Sequence, residues 1–136
     1  LVRAGSPDDV VAWRDRWLDR GVALLQSLGL PTQTDVAADP FFGRRGKMMG
    51  ASQKEQKLKF EVMVPVISDT EPTALCSFNY HQDKFGGEFG IRTADGAVAH
   101  TACLGFGMER VTMALFKVHG FDVAAWPAGV RSQLWP

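Results

Sequence analysis

The chain is short of several things, and each shortage narrows what it can be. It has 2 cysteines in 136 residues, too few for the disulfide framework of small extracellular folds. It has no charge of either sign to spare, since Lys+Arg and Asp+Glu both number 15. A domain that grips a nucleic-acid backbone carries a basic excess, because phosphate neutralisation supplies the affinity. The balance argues against a tRNA- or DNA-binding module. No apolar run approaches membrane-spanning length, and no segment resembles a secretory leader. Repeats and low-complexity stretches are absent too. What remains is ordinary globular composition, 46% apolar and 22% charged, in a length suited to one domain with its own core. The expectation is a soluble, cytoplasmic protein with no membrane partner. The first residue is Leu1, not Met, which predicts a piece of a longer protein.

What is present reads as an ordered series of elements. Ser6 suits an N-cap, Pro7 the first helical position, and Asp9 completes a capping-box spacing. Val10, Trp13, Trp17, Leu24, Leu25 and Leu28 recur every three to four residues, predicting a helix over 7–28 with one apolar stripe. Gly29 and Pro31 stop it. Residues 33–37 read as a short strand. Residues 39–57 mix glycines and basic residues with no steady period, which predicts a long loop, often a functional feature. Leu58, Phe60, Val62 and Val64 alternate with Lys59, Glu61 and Met63, predicting a strand over 58–66. Residues 74–82 alternate again and read as a central strand. Gly86-Gly87 reads as a turn, with 88–92 returning as its hairpin partner, and Asp95-Gly96 as another turn. A strand over 98–106 runs into a helix at about 107–119, ended by Gly120, and a short helical segment follows over 122–135. Consecutive strands between helices argue for an α+β fold with an antiparallel sheet.

The stretch AHTACLGFGMERVTMALF, residues 99–116, carries the chemistry. A strand of small residues passes through Gly105 and Gly107 into a helix with Arg110 in its first turn. Glycine lets the backbone approach a ligand closely. A guanidinium there can pair with phosphate oxygens or stack on a flat base, and helix N-termini favour anions. Taken alone, Gly-Phe-Gly equally describes a tight strand-to-helix junction beside a surface arginine.

The whole pattern resembles motif 3 of the class II aminoacyl-tRNA synthetases, with Gly105, Gly107, Glu109 and Arg110 matching its glycine-to-arginine signature. SPDDVVAWRDRWLDRGVALLQSLGLP resembles the helix after motif 2 in seryl-tRNA synthetases. KLKFEV resembles their strand that contributes a glutamate to the amino-acid pocket, and SFNYHQDKF their Ser-x-Asn strand. DPFFGRRGKMMGASQKEQKLKFE, FNYHQDKFG and Cys103 just before motif 3 depart from ordinary seryl enzymes. They resemble the amino acid:[carrier protein] ligases, a group related to atypical zinc-dependent seryl-tRNA synthetases. The resemblance covers nearly the whole chain and implies the C-terminal half of a class II catalytic domain.

That resemblance implies specific roles. Arg110 would hold ATP by its adenine and γ-phosphate, with Gly105 and Gly107 beneath the nucleotide. Cys103 would be one ligand of a Zn²⁺ ion that receives the substrate's amino group; outside the resemblance, a cysteine on an apolar strand is a small core residue. Glu61 would lie in the amino-acid pocket, though its alternation fits a solvated strand face equally well. Ser77 and Asn79 share one strand face with His81, and polar residues at i, i+2, i+4 suggest a pocket wall or a wet sheet face. Thr101 falls where seryl enzymes place a small hydroxyl residue at the substrate. Cys76 reads as inert core and His100 as structural. Seryl enzymes hold Mg²⁺ with a glutamate six residues before the asparagine; Thr73 stands there, and the nearest acid is Glu71. Arg44, Arg45, Lys47, Lys54 and Lys57 are basic, suited to an acidic carrier protein or simply to solvent, and Phe41-Phe42 would anchor that segment.

The implied reaction has two steps, with Mg²⁺ and ATP. A small amino acid, glycine or alanine, becomes an aminoacyl-adenylate, and the thiol of a phosphopantetheinylated carrier protein takes the acyl group. The resemblance implies a homodimeric parent that does not use tRNA. Motif 1, the motif 2 arginine and the other zinc ligands are not visible in these residues. The alternatives are an atypical seryl-tRNA synthetase core and a synthetase-like paralogue that only binds its ligands.

Overall fold

The computed structural model describes residues 1–39, 43–68 and 70–136, with 43–47 given by backbone alone. Phe41, Phe42 and the side chains of Arg44, Arg45 and Lys47 lie outside the described residues.

The first helix, α1 (Pro7–Ser27), starts as its sequence dictates. The Ser6 hydroxyl accepts the Asp9 amide at 3.3 Å, and Pro7 opens the first turn. Gly29, with φ of 75°, follows the end of the helix. Val10, Leu25 and Leu28 are buried, and Trp13 and Trp17 pack partly against the core. Leu24, assigned to the same stripe by its spacing, is 49% exposed.

Five strands form one antiparallel sheet in the order β1-β5-β4-β3-β2: β1 (Val2–Gly5), β2 (Gln33–Val36), β3 (Lys59–Val64), β4 (Thr73–Gln82) and β5 (His100–Phe106). The α+β expectation holds. The short strand β1 has no alternation of its own; it forms because β5 offers it an edge. Val62, Cys76, Phe78 and Leu104 point from the sheet into the core with Leu25 and Leu28. Here α1 lies so close that a Cβ on Gly21 would come within 2.6 Å of Phe78 Cζ. The last helices, α4 (Met108–His119) and α5 (Ala128–Leu134), extend this core through Val111, Ala114, Leu115 and Val130, with Trp126 between them.

Two expectations fail. Residues expected as a loop contain a helix, α2 (Gly43–Glu55). Its pattern gave no helical signal because its described side chains bury no apolar stripe: Met48 and Met49 are 71% and 56% exposed. The buried Arg14 of α1 fixes the exit of α2. Its Nη1 donates at 2.8 Å to the carbonyl of Lys57, which sits at a left-handed φ of 50°. The Arg14 guanidinium lies over the Phe60 ring, 4.9 Å from its centroid.

The second failure is the Gly86-Gly87 hairpin. Residues Lys84–Phe89 form a short helix, α3, closed by Gly90 at φ 65°. Gly86 is there for contact, not for a turn. A Cβ at that position would lie 1.8 Å from the Ala99 carbonyl oxygen, so only glycine lets α3 rest on the chain entering β5. The return after α3 is reduced to one isolated bridge, Arg92 to Val98. Among the described residues, no helix is long and apolar enough to cross a membrane.

Candidate active site

The period of two along β3, β4 and β5 assembles the site. Asn79 opposes Cys103, and Ser77 opposes Gly105. On the other side of β4, Lys59 opposes Asn79 and Glu61 opposes Ser77. Cross-strand partners project to the same face. Lys59, Glu61, Ser77, Asn79, Cys103 and Gly105 therefore share one face, opposite to the face from which Phe78 meets α1. Glu61 and Ser77 line one cavity on this face, and Asn79 and His81 another.

The polar contacts on this face are continuous. Asn79 Nδ2 donates to Ser77 Oγ at 3.3 Å and points at Cys103 Sγ at 3.6 Å. His81 Nε2 lies 3.4 Å from Cys103 Sγ, and its Nδ1 lies 3.0 Å from the hydroxyl of the buried Thr101. Burial holds the His81 imidazole below its ordinary pKa, against the opposing pull of the Asp39 carboxylate, and Lys84 adds to the lowering. His100, by contrast, bonds through Nδ1 to the Tyr80 hydroxyl, away from Thr101. Cys76 is buried with its thiol pushed up to about 12 by desolvation, so it stays protonated and inert near neutrality.

A row of charges borders these groups. Lys59 Nζ lies 2.8 Å from Asp39 Oδ1 and 3.1 Å from Glu61 Oε1. Gln53 of α2 completes the row, donating to Asp39 Oδ2 at 3.0 Å and accepting the Asp39 amide at 2.8 Å. Lys59 hydrogen-bonding, with Gln53 next, holds the Asp39 carboxyl below its usual range. Burial alone would lower the Lys59 ammonium, but the bonds to Asp39 and Glu61 outweigh it and the net shift is upward. Sequence reasoning missed Asp39, Gln53 and Lys59. The signal for Lys59 was available, because it alternates in phase with Glu61. None existed for Asp39 and Gln53, which reach the site from a segment without periodicity.

Two cavities open on this face. The smaller, about 300 Å³, is lined by Lys59, Glu61, Ser77, Gly105, Gly107 and Arg110 among others. Arg110 spends one N–H on the Ala74 carbonyl, at 3.0 Å, of the five its guanidinium carries. A Cβ on Gly105 would meet nothing within 4 Å, so the missing side chain leaves the cavity floor open. At Gly107 a Cβ would crowd Arg110 Cδ to 3.3 Å. The larger cavity, about 600 Å³, runs between α2 and the end of β4; Gln53, Gln56, Asn79, His81, Gln82 and Phe85 are among its walls. Thr73 begins β4 and Glu71 is exposed.

The Cys103 sulfur faces the Asn79 amide and an imidazole nitrogen of His81. Among the described residues, no three His, Cys, Asp or Glu side chains cluster as a complete ligand set. Cys103 does not make a metal site by itself.

No family model matches the chain. Amino acid–[acyl-carrier-protein] ligase 1 of Bradyrhizobium diazoefficiens is 52% identical over 130 residues, covering 96% of this chain and 40% of the ligase. Ligase 2 of the same organism is 53% identical over 134 residues, covering 98% of this chain and again 40% of the relative. A type-2 serine–tRNA ligase of Methanococcus aeolicus is 28% identical over 137 residues, covering 98% of this chain and 26% of the relative. Among solved structures, the M. kandleri seryl-tRNA synthetase in complex with A. aeolicus tRNASec matches 98% of this chain and 27% of its own, with a TM-score of 0.76 and 21% identity. That likeness is one of fold. The chain is thus homologous to the amino acid–[acyl-carrier-protein] ligases, over the 40% of their length that it spans, and has the fold of a class II seryl-tRNA synthetase core.

Proposed function

We propose that this chain is the C-terminal, motif 3-bearing half of the catalytic domain of an ATP-dependent ligase. The parent activates a small amino acid, glycine or alanine, and passes it to the phosphopantetheine thiol of a carrier protein. The observation that carries this reading is the convergence of Ser77, Asn79, Thr101 and Cys103 on one sheet face, beside a cavity edged by Arg110. Similarity to two amino acid–[acyl-carrier-protein] ligases supports the carrier-protein acceptor.

In the first step an amino-acid carboxylate oxygen attacks the α-phosphorus of ATP. The bond from that phosphorus to the oxygen bridging to the β-phosphate breaks, and pyrophosphate leaves; Mg²⁺ would supply charge neutralisation there. Arg110, Gly105 and Gly107 hold the nucleotide in the smaller cavity. Glu61, Ser77, Asn79 and Thr101 surround the amino acid, Glu61 being steadied by Lys59. The work of these groups is orientation and charge neutralisation. Cys103 would be one ligand of a Zn²⁺, which would supply a Lewis-acidic site for the substrate's amino group. In the second step the acceptor sulfur attacks the acyl carbon, the thiol proton passes to solvent, and AMP leaves with the oxygen as the acyl C–O bond breaks. The larger cavity suits a flexible arm that carries amides: Gln53, Gln56 and Gln82 offer amide partners, and Met49, Leu58 and Phe85 offer apolar ones. The motif 2 arginine and the remaining zinc ligands belong to other parts of a homodimeric, cytoplasmic parent that does not charge tRNA.

The test is acyl transfer by the longest reading frame that contains this chain, supplied with ATP, Mg²⁺ and Zn²⁺. Labelled glycine or alanine is expected on a phosphopantetheinylated carrier protein as a hydroxylamine-labile thioester, with none on tRNA. Label on tRNA with serine as substrate would move the parent to the seryl-tRNA synthetases, to which the chain is 28% identical. Binding of ATP and amino acid without any transfer would leave only a ligand-binding paralogue.

A further inference from the structure

We propose that Asp39 is a positioning residue for the amino-acid pocket: it takes the larger share of the Lys59 ammonium and so leaves the Glu61 carboxylate negative and open to the substrate's amino group. The inference rests on the reading of Glu61 as part of that pocket.

The backbone brings the three charges together by register. Asp35 of β2 opposes Glu61 of β3, and the ladder runs one step further, where the Ala37 amide donates to the Lys59 carbonyl at 3.0 Å. Asp39 lies two residues beyond, where the chain leaves the strand, and its carboxylate reaches back to Lys59. Gln53 of α2 braces it from the other side. The Gln53 amide oxygen accepts the Asp39 backbone N–H at 2.8 Å, and its nitrogen donates to Asp39 Oδ2 at 3.0 Å. This closed pair leaves Oδ1 for Lys59. Asp35, the other acid nearby, turns its own Oδ1 to the Val36 amide instead.

Distances show how the ammonium is divided. Lys59 Nζ is 2.8 Å from Asp39 Oδ1 and 3.1 Å from Glu61 Oε1. The Lys59 side chain is only 12% exposed, so little water competes for its N–H groups. One positive charge faces two carboxylates, and the nearer one takes more of it. Glu61 therefore lines the smaller cavity with a negative charge that is only partly compensated. Among the described residues, Arg110 is the other cation in that wall, and one of its N–H groups is bound to the Ala74 carbonyl. An ionised carboxylate only accepts hydrogen bonds and repels other anions. Its place in the wall thus favours the amino end of the substrate over the carboxylate end. Neutralising Asp39 hands the whole ammonium to Glu61, which becomes a closed ion pair with less to offer.

The test uses two stable mimics of the adenylate on the parent protein, glycylsulfamoyl-adenosine and acetylsulfamoyl-adenosine, which differ by the amino group alone. Calorimetry reads the dissociation constants. Glu61→Gln is expected to weaken the glycyl mimic about tenfold and to hold the acetyl mimic within about twofold, the scale of one hydrogen bond to a charged group. Asp39→Asn is expected to show the same selectivity at about fivefold, the scale of coupling within one ionic network. Asp39→Glu, which keeps the charge, is expected to stay within about twofold of wild type on both mimics. In a Lys59→Met background, Asp39→Asn is expected to add less than about twofold, because no ammonium remains to be redistributed. Equal losses on both mimics in Asp39→Asn would mean a purely structural role and overturn the inference. An unchanged glycyl affinity would overturn it too, as would the same penalty persisting without Lys59. A Glu61→Gln variant that does not separate the two mimics refutes the reading of Glu61 itself. A selective Glu61→Gln beside an unselective Asp39→Asn refutes the inference alone.

Discussion

The Lys59 ammonium lies 3.1 Å from the Glu61 carboxylate and holds it on the pocket face of the sheet. The same ammonium reaches Asp39 at 2.8 Å, so one cation serves two acids from different segments. Asp39 has a lowered pKa, so its contribution to stability is present above 3.8, its unfolded value, and is lost as pH falls through the folded value. Lys59 has a raised pKa, so its contribution is full below 10.5 and is lost as pH rises through the folded value. The Asp39 side chain is 48% exposed, and screening limits such a pair to about 1 kcal/mol or less. Urea unfolding of Lys59→Met against wild type is expected to show a small deficit that is constant near neutrality. That deficit should begin to shrink as pH falls below 3.8 or rises above 10.5, and vanish once pH has passed the folded values of Asp39 and Lys59. An equal deficit at every pH would mean that Lys59 acts by packing alone.

Gly21 and Phe78 make the contact that sets how closely α1 lies on the sheet. Phe78→Ala is expected to cost about 3–5 kcal/mol. Gly21→Ala forces a methyl against the ring and is expected to cost about 1–3 kcal/mol. With Phe78→Leu in the background, the Gly21→Ala penalty should shrink. Strict additivity in that double-mutant cycle would show that the two do not share the space.

The two cysteines are expected to differ in chemistry. Cys76 is buried with its thiol at about 12, whereas Cys103 is half-buried on the pocket face. Iodoacetamide at pH 7.5 should label Cys103 and spare Cys76 until the chain unfolds, and Zn²⁺ should slow the reaction at Cys103. Equal labelling of both by mass spectrometry would contradict the assigned burial.

Much of this architecture was legible. The cap at Ser6 and Pro7, the alternation in β3 and β4, and the glycine-to-arginine junction at the start of α4 each encode their element locally. The site face was legible in part, because period-two spacing links Ser77, Asn79 and His81 without knowledge of their partners. What escaped has a common cause. β1 exists only through its pairing with β5, α2 only as a wall over a cavity, and α3 only because Gly86 can touch Ala99. The aim of His81 depends on a bulge in the pairing of β4 with β5, which no spacing rule reports. Gly86-Gly87 has the composition of a turn, yet Gly86 answers a steric demand from a distant carbonyl.

A substitution at that steric point separates the two readings of Gly86. Gly86→Ala must displace a backbone oxygen 1.8 Å from the new Cβ, so it is expected to destabilise the chain by about 2 kcal/mol or more. Gly87→Ala meets nothing within 4 Å and should be nearly neutral in thermal unfolding. Equal effects would favour a turn over close contact.

The most direct measurement is amino-acid-dependent exchange of pyrophosphate into ATP by the parent protein, with and without Arg110→Ala. The account predicts exchange with glycine or alanine and none with serine. It also predicts a loss of about a hundredfold or more when the Arg110 guanidinium is removed, the scale for one preorganised charge-stabilising group. Exchange with serine, or exchange untouched by Arg110→Ala, would contradict it.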